Sequence, residues 1–227
     1  MKKIGSQVTI AMDGPAGSGK STVARRVAEK LGLLYLDSGA MYRAVTVLAI
    51  QDELAADSLE LIERVKACHI EFADNGRTIL LNTEDVSLQI RTPAVNRLVA
   101  DVAKIPEIRH EIVRHQQRIG GEGGIIAEGR DLTTIVFPNA DFKFYLDASV
   151  TERAKRRLAE LERQNVDTTL AAVEAEISAR DEKDKTRAHS PLRAAADAII
   201  VDTTDKTINE VVDFIIKHVH KGEGGAK

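Results

Sequence analysis

Gly14-Pro15-Ala16-Gly17-Ser18-Gly19-Lys20-Ser21 satisfies every fixed position of the pattern G-x-x-x-x-G-K-[ST]. Before it, Val8-Thr9-Ile10-Ala11-Met12 is a short apolar run that reads as a buried strand. After it, the stretch from Thr22 to Leu31 has helical periodicity. Phosphate binding needs this order of strand, glycine loop and helix. The glycines let backbone N–H groups converge on phosphate oxygens, and the helix adds its positive N-terminal end. Lys20 is placed to reach the β- and γ-phosphates of a nucleoside triphosphate, and the Ser21 hydroxyl to ligate Mg²⁺. The segment from Gly14 to Thr22 is therefore expected to hold a nucleoside triphosphate.

The rest of the composition narrows the class. A chain of 227 residues can bury one core and carry a small inserted subdomain. Its 32 basic and 35 acidic residues leave a net charge of −3, which argues against a nucleic-acid binder. Cys68 has no second cysteine to pair with, and no secretory pattern opens the sequence, so a reducing cytoplasm is expected. No apolar run approaches the length that crosses a membrane. The expected partners are small molecules, and the expected state is a monomer.

Five apolar segments read as core strands: 7–12, 33–36, 125–127, 142–146 and 198–201, with helices between them. That alternation predicts an α/β fold, a doubly wound five-stranded parallel sheet in a single domain over 1–227. Residues 54–120 form an insertion of different texture. It opens on a helix capped at Asp57-Ser58. A hairpin follows around Asn75-Gly76, then helices at 94–104 and 107–118. The tail 222–227 reads as disordered.

Four further segments carry candidate chemistry. Asp37-Ser38-Gly39-Ala40-Met41-Tyr42-Arg43 follows the second strand, at the edge of an open sheet where ligands bind. Arg43 there either pairs with an acceptor phosphate or is a solvated arginine on a capped helix. Glu128-Gly129-Arg130-Asp131 follows the third strand, as a functional loop or as a turn with a salt bridge. Between Arg180 and Arg187 the charges include Asp184. If helical, Arg180, Asp184 and Arg187 share a face, although a solvated charged helix also explains the run. Arg153, Arg156 and Arg157 open a helix after the fourth strand, as a phosphate-directed lid or a plain basic face.

Taken together, these segments resemble the bacterial-type cytidylate kinases, over about residues 8–216. The resemblance rests on the phosphate loop, Leu36-Asp37-Ser38-Gly39-Ala40-Met41-Tyr42-Arg43, Gly129-Arg130-Asp131 followed by Val136-Phe137-Pro138, Leu146-Asp147-Ala148-Ser149, and the Arg-Asp-x-x-Asp-x-x-Arg stretch. It implies a nucleoside-monophosphate-kinase fold and transfer of the ATP γ-phosphoryl to CMP or dCMP with Mg²⁺. The insertion would be the acceptor-binding region and 151–165 a short lid. By position, Ser38, Arg43, Arg109, Arg130, Asp131, Arg180, Asp184 and Arg187 match acceptor-site residues, while Lys20, Arg153 and Arg157 would act on the transferred phosphoryl. A carboxylate and a guanidinium suit cytosine, with Asp131 toward its amine and Arg109 toward its acceptor edge.

Two positions depart from the family pattern. Ala100 stands where a serine near the base is usual, and Thr133 where a glycine is common. The first bears on base selection and the second on local backbone shape. A GTPase switch is the rival of another class, but the chain has no N-K-x-D base-reading motif. Within the kinase class, UMP, AMP or a small alcohol such as shikimate is the competing acceptor.

Overall fold

In the computed structural model, which describes residues 7–163, 165–187 and 189–222, the apolar run before the glycine loop is β1 (Thr9–Asp13), the central strand of a sheet. The chain continues through α1 (Lys20–Leu31), β2 (Leu34–Asp37) and α2 (Ser38–Gln51). The elements α3 (Leu59–Ala67), β3 (Ile70–Ala73), β4 (Thr78–Leu81), β5 (Glu84–Asp85), α4 (Pro93–Val102) and α5 (Pro106–Gly120) come next. After them come β6 (Ile125–Gly129), β7 (Phe142–Asp147), α6 (Val150–Arg163), α7 (Leu170–Thr186), β8 (Ile199–Asp202) and α8 (Ile208–Lys221).

The main sheet has the order β2-β6-β1-β7-β8 with every adjacent pair parallel. All five expected strands are present. The chain leaves β1 toward one edge and later crosses it to reach β7. Order therefore reverses about β1 and opens a crevice at the carboxyl ends of the strands. Those ends run further than the apolar runs suggested. Asp13, Asp37, Glu128, Asp147 and Asp202 all lie in strands. Their backbones complete the ladder while their side chains reach the loops beyond. Glu128, expected to follow the third strand, is thus inside β6.

Helices cover both faces. Ile10 and Met12 of β1 pack with Val23 and Val27 of α1 and with Val211 and Ile215 of α8. Ala11, pointing the other way, joins Met41, Ala44 and Val45 of α2. Helix α2 is buried on nearly every side, because the insertion covers the face that the sheet leaves open. Leu61 and Val65 of α3, Val95 of α4, and Ile108 and Ile112 of α5 belong to the same apolar cluster. A third, smaller cluster of Ala154, Val173 and Ile177 joins α6 to α7. Among the described residues no helix is long and apolar enough to cross a membrane.

Helix caps follow local chemistry. Ser58 accepts from the Leu61 N–H, and Thr207 with Glu210 forms a reciprocal capping box on α8. In the insertion β3 and β4 pair antiparallel, Ile70 against Leu81 and Phe72 against Ile79, with β5 as a short third strand. The turn at Asp74–Gly76 packs on β2. A Cβ on Gly76, at φ +86°, would lie 1.9 Å from the Tyr35 carbonyl oxygen. Just beyond, Arg77 pairs with Glu29 of α1 at 3.1 Å. Apart from Gly222, the tail expected to be disordered lies outside the described residues.

Gly76→Ala adds a backbone clash to a positive φ, so it should destabilise the fold by about 1–3 kcal/mol. Urea unfolding should show a lower midpoint with far-UV circular dichroism unchanged; an unaltered midpoint would mean that the turn does not press on β2.

Candidate active site

The phosphate loop leaves β1 at Gly14, whose φ of +146° carries the chain past β7. A Cβ there would meet the Leu146 carbonyl oxygen at 1.9 Å. Gly19, also at positive φ, stands at the N-cap of α1, with Lys20 and Ser21 as the first helical residues and Thr22 exposed after them. Lys20 is buried and folded back on its own loop. Its Nζ donates to the Pro15 carbonyl at 2.6 Å and to Ser18 Oγ at 3.3 Å. Burial first, and then the Arg130 guanidinium, lower its pKa from 10.5 to about 7. Glu128 and Asp13 oppose that shift and Arg180 adds to it.

The acceptor-side residues expected from the sequence meet at the same carboxyl edge. Arg109 of α5 and Asp131, which follows β6, form a buried ion pair. Arg109 also donates to the Ala103 carbonyl at 3.0 Å and lies over the Tyr42 ring, 5.4 Å from its centroid. One Asp131 oxygen takes that pair, with Arg187 Nη2 4.0 Å away; the other oxygen has no hydrogen bond among the described residues. Arg130 donates through Nε to Asp184 at 3.0 Å. Ser38 is the buried first residue of α2, which Asp37 caps by accepting from the Ala40 N–H. Arg43 reaches Asn96 of α4 and the Ile90 carbonyl.

Arg187 does not continue the helical face of Arg180 and Asp184. Helix α7 ends at Thr186, and Arg187 is its extended C-cap, with Nε on the Ser190 carbonyl and a buried Nη2 that has no hydrogen-bond partner. Leaving the helix lets its guanidinium turn toward Asp131. Arg180 makes no hydrogen bond or ion pair among the described residues. Arg180 is exposed at its surface, yet the protein packed around it, and then Arg130, hold its pKa below the ordinary value. Arg43 is lowered by burial, and Arg91 and Arg157 push the same way. Ala100 is exposed on α4.

The expected lid arginines divide in two. Arg153 is buried and fully engaged: it bonds the Ala148 carbonyl at 2.9 Å, the Ala16 carbonyl of the phosphate loop at 3.1 Å and Asp181 at 2.6 Å. The guanidinium expected to act on the transferred phosphoryl is occupied by these partners, where α6 packs directly on the loop at Gly17. Arg156 is bound to Glu152 and to Thr203. Only Arg157 is exposed, with one pairing to Glu160 at 3.0 Å, and its charge is felt at Arg43.

Asp13 and Thr203 have no role in the sequence reading, and Glu128 enters it only within the candidate segment 128–131. Glu128 accepts from the Ser21 hydroxyl at 2.5 Å and from the Tyr35 hydroxyl at 3.0 Å. Its neighbour across the β2–β6 ladder is Asp37, whose pKa is raised by burial and then by Glu128. Asp13 is wholly buried and accepts from the Leu132 and Thr133 N–H groups and the Thr133 hydroxyl. Thr203 donates to the Ser18 and Asp147 carbonyls, at 3.1 and 3.0 Å. A carboxylate one position before the end of a strand was the available signal for Glu128. Nothing local marks Thr203.

Comparison with known proteins agrees with this geometry. The family model described as Cytidylate kinase matches residues 10–221. A cytidylate kinase of Lactococcus lactis subsp. lactis is 49% identical over 217 residues, covering 95% of this chain and 96% of that protein. A cytidylate kinase of Symbiobacterium thermophilum is 43% identical over 219 residues, covering 95% and 97%. Among solved structures, a shikimate kinase from Acinetobacter baumannii in complex with shikimate aligns with TM-score 0.50 and 14% identity, covering 98% of each chain, a likeness of fold alone. The full-length family match, joined to the phosphate loop and the charged groups gathered opposite it, places this chain in the cytidylate kinase family.

Proposed function

We propose that the chain transfers the γ-phosphoryl group of ATP to CMP or dCMP, giving ADP and CDP or dCDP. One arrangement supports this reading above the others. At the sheet edge that bears the phosphate loop and Lys20, Arg109 holds Asp131 by one oxygen and Asp184 holds Arg130, while Lys20, Arg43, Arg130, Arg157 and Arg180 bring positive charge to bear on one another. A cleft that crowds cations in this way is complementary to several phosphates at once.

The roles follow from what each group has free. The N–H groups of residues 14–22 and Lys20 take the ATP phosphates. An incoming triphosphate draws Lys20 off the Pro15 carbonyl and restores its charge. Arg43, Arg130 and Arg180 face the acceptor phosphate. Moving Arg130 to that phosphate releases Asp184 for a sugar hydroxyl. The unpartnered oxygen of Asp131 receives the cytosine amine, while Arg109, fixed by Ala103 and Tyr42, holds the carboxylate in place and meets the base's acceptor edge. Uracil would set a carbonyl against that carboxylate. Arg187 and Ser38 complete the acceptor wall. Arg157, the exposed lid guanidinium, meets the transferred phosphoryl as charge spreads over it. Arg153 contributes through the Ala16 carbonyl by fixing the loop under the lid.

Ser21 and Glu128 suit Mg²⁺. They are hard oxygen donors already 2.5 Å apart, and too few to form a closed protein cage, as fits an ion held largely by water and phosphate. Bound there, Mg²⁺ would neutralise charge on the β- and γ-phosphates.

A coupled ADP-release assay across nucleoside monophosphates should find CMP and dCMP ahead of UMP and AMP; a better rate with either of the latter overturns the cytosine reading. In the same assay Asp131→Ala should lower kcat/KM for CMP by roughly 10²-fold and narrow its margin over UMP. Arg157→Ala should reduce kcat by about 10²-fold with little change in KM for ATP, and a change confined to KM would make it a ground-state contact.

Lys20 also ties function to stability. Its folded pKa near 7 lies below the ordinary 10.5, so between those values the unfolded chain binds the extra proton. Stability then rises with pH across that window, and the burden of the buried ammonium is greatest at and below about pH 7. Lys20→Met should therefore raise Tm by about 2–4 °C or more at pH 6.5 while abolishing turnover, the gain shrinking toward pH 10. Equal Tm differences at both pH values would contradict it.

A further inference from the structure

We infer that Thr133 is a positioning residue for the acceptor, holding the loop that bears Arg130 and Asp131 against the phosphate-loop strand through the buried carboxylate of Asp13. The inference rests on the acceptor role proposed above for those two residues.

Residues Leu132–Val136 form a single wide turn, with Val136 N–H reaching back to the Asp131 carbonyl and Phe137 N–H to that of Leu132. Such a turn leaves N–H groups at its start without partners, and no side chain of its own loop caps them. Asp13 supplies the cap from another strand. Its Oδ1 accepts from Leu132 N–H at 2.9 Å and its Oδ2 from Thr133 N–H at 2.7 Å. The third bond, from Thr133 Oγ1 at 2.6 Å, is the one a glycine at this position could not make.

The location turns this cap into a link between substrates. Asp13 is bonded to Gly14, the first residue of the phosphate loop, and Leu132 to Asp131, so one carboxylate joins the loop for ATP to the loop for the acceptor. Asp13 is wholly buried, and Lys20 of α1, Asp131 of the loop and Tyr145 of β7 lie within reach of its charge. Each donor therefore counts. Without the Thr133 hydroxyl, Oδ2 keeps a single bond and the turn gains freedom to rotate. Arg130 and Asp131, at its entrance, then drift relative to Lys20. In-line transfer is sensitive to such shifts.

The test compares Thr133→Val, which keeps the shape and removes the hydroxyl, with Thr133→Ser, which restores it. Kinetics are taken with whichever nucleoside monophosphate the wild-type enzyme uses best. A failure of the cytidylate reading then shows in the wild type, and a failure of this inference only in the variants. Thr133→Val should raise KM for the acceptor about tenfold with KM for ATP within about twofold, and Thr133→Ser should recover most of it. In the free protein, amide hydrogen exchange of segment 130–136 should quicken in Thr133→Val and not in Thr133→Ser. Unchanged exchange, or faster exchange with wild-type acceptor KM, overturns the proposal, as does an equal rise of both KM values.

Discussion

Lys20, Arg43, Arg130, Arg157 and Arg180 bring their charges to one crevice at the carboxyl edge of the sheet, and the fold has to hold them there against mutual repulsion. Carboxylates share the work locally: Asp184 takes Arg130, and Asp131 takes Arg109. What remains is carried by packing, because the strands and helices bearing these residues are fixed by apolar contacts on both faces of the sheet. Charged groups gathered in one crevice lie closer to a transition state's needs than to the free protein's own stability.

The loops around this crevice hold one another as firmly as they hold the sheet. Asp13 joins the strand before the phosphate loop to the loop after β6, Thr203 bonds the Ser18 carbonyl, and Arg153 bonds that of Ala16. Helices α6 and α7 add only a small apolar cluster to each other. Helix α6, the lid in the function proposed above, is thus anchored at its base by Arg153 and Arg156 and lightly packed further out, where Arg157 stands exposed. A hinge that is stiff near the phosphates and soft toward its tip suits a segment that opens and closes in each turnover.

Much of this was legible in the sequence. The five strands, the glycine loop, the hairpin and the helix caps follow from local rules, each written in a few adjacent residues. The alternation of faces along β1 was not, because Ile10, Ala11 and Met12 are all apolar and both faces are covered. The candidate residues from Ser38 to Arg187 were assigned from pattern and from the family resemblance, yet their pairings depend on distance in space. Arg153 and Arg157 look alike in the sequence, four residues apart on one helix. One is sealed against the phosphate loop and the other exposed, a difference set by where α6 meets Gly17. Asp13 and Thr133 are separated by 120 residues, and no local reading joins them.

The turn at Asp74–Gly76 covers an edge of the main sheet. Strand β2 is an edge of the main sheet, and an uncovered edge offers backbone groups to which a strand of another chain can add. Gly76 presses on the Tyr35 carbonyl, and Arg77 with Glu29 places a charged rim beside it. The insertion thereby covers backbone groups that an uncovered edge would offer to another strand. The opposite edge, β8, has Ile200 exposed and relies on being short.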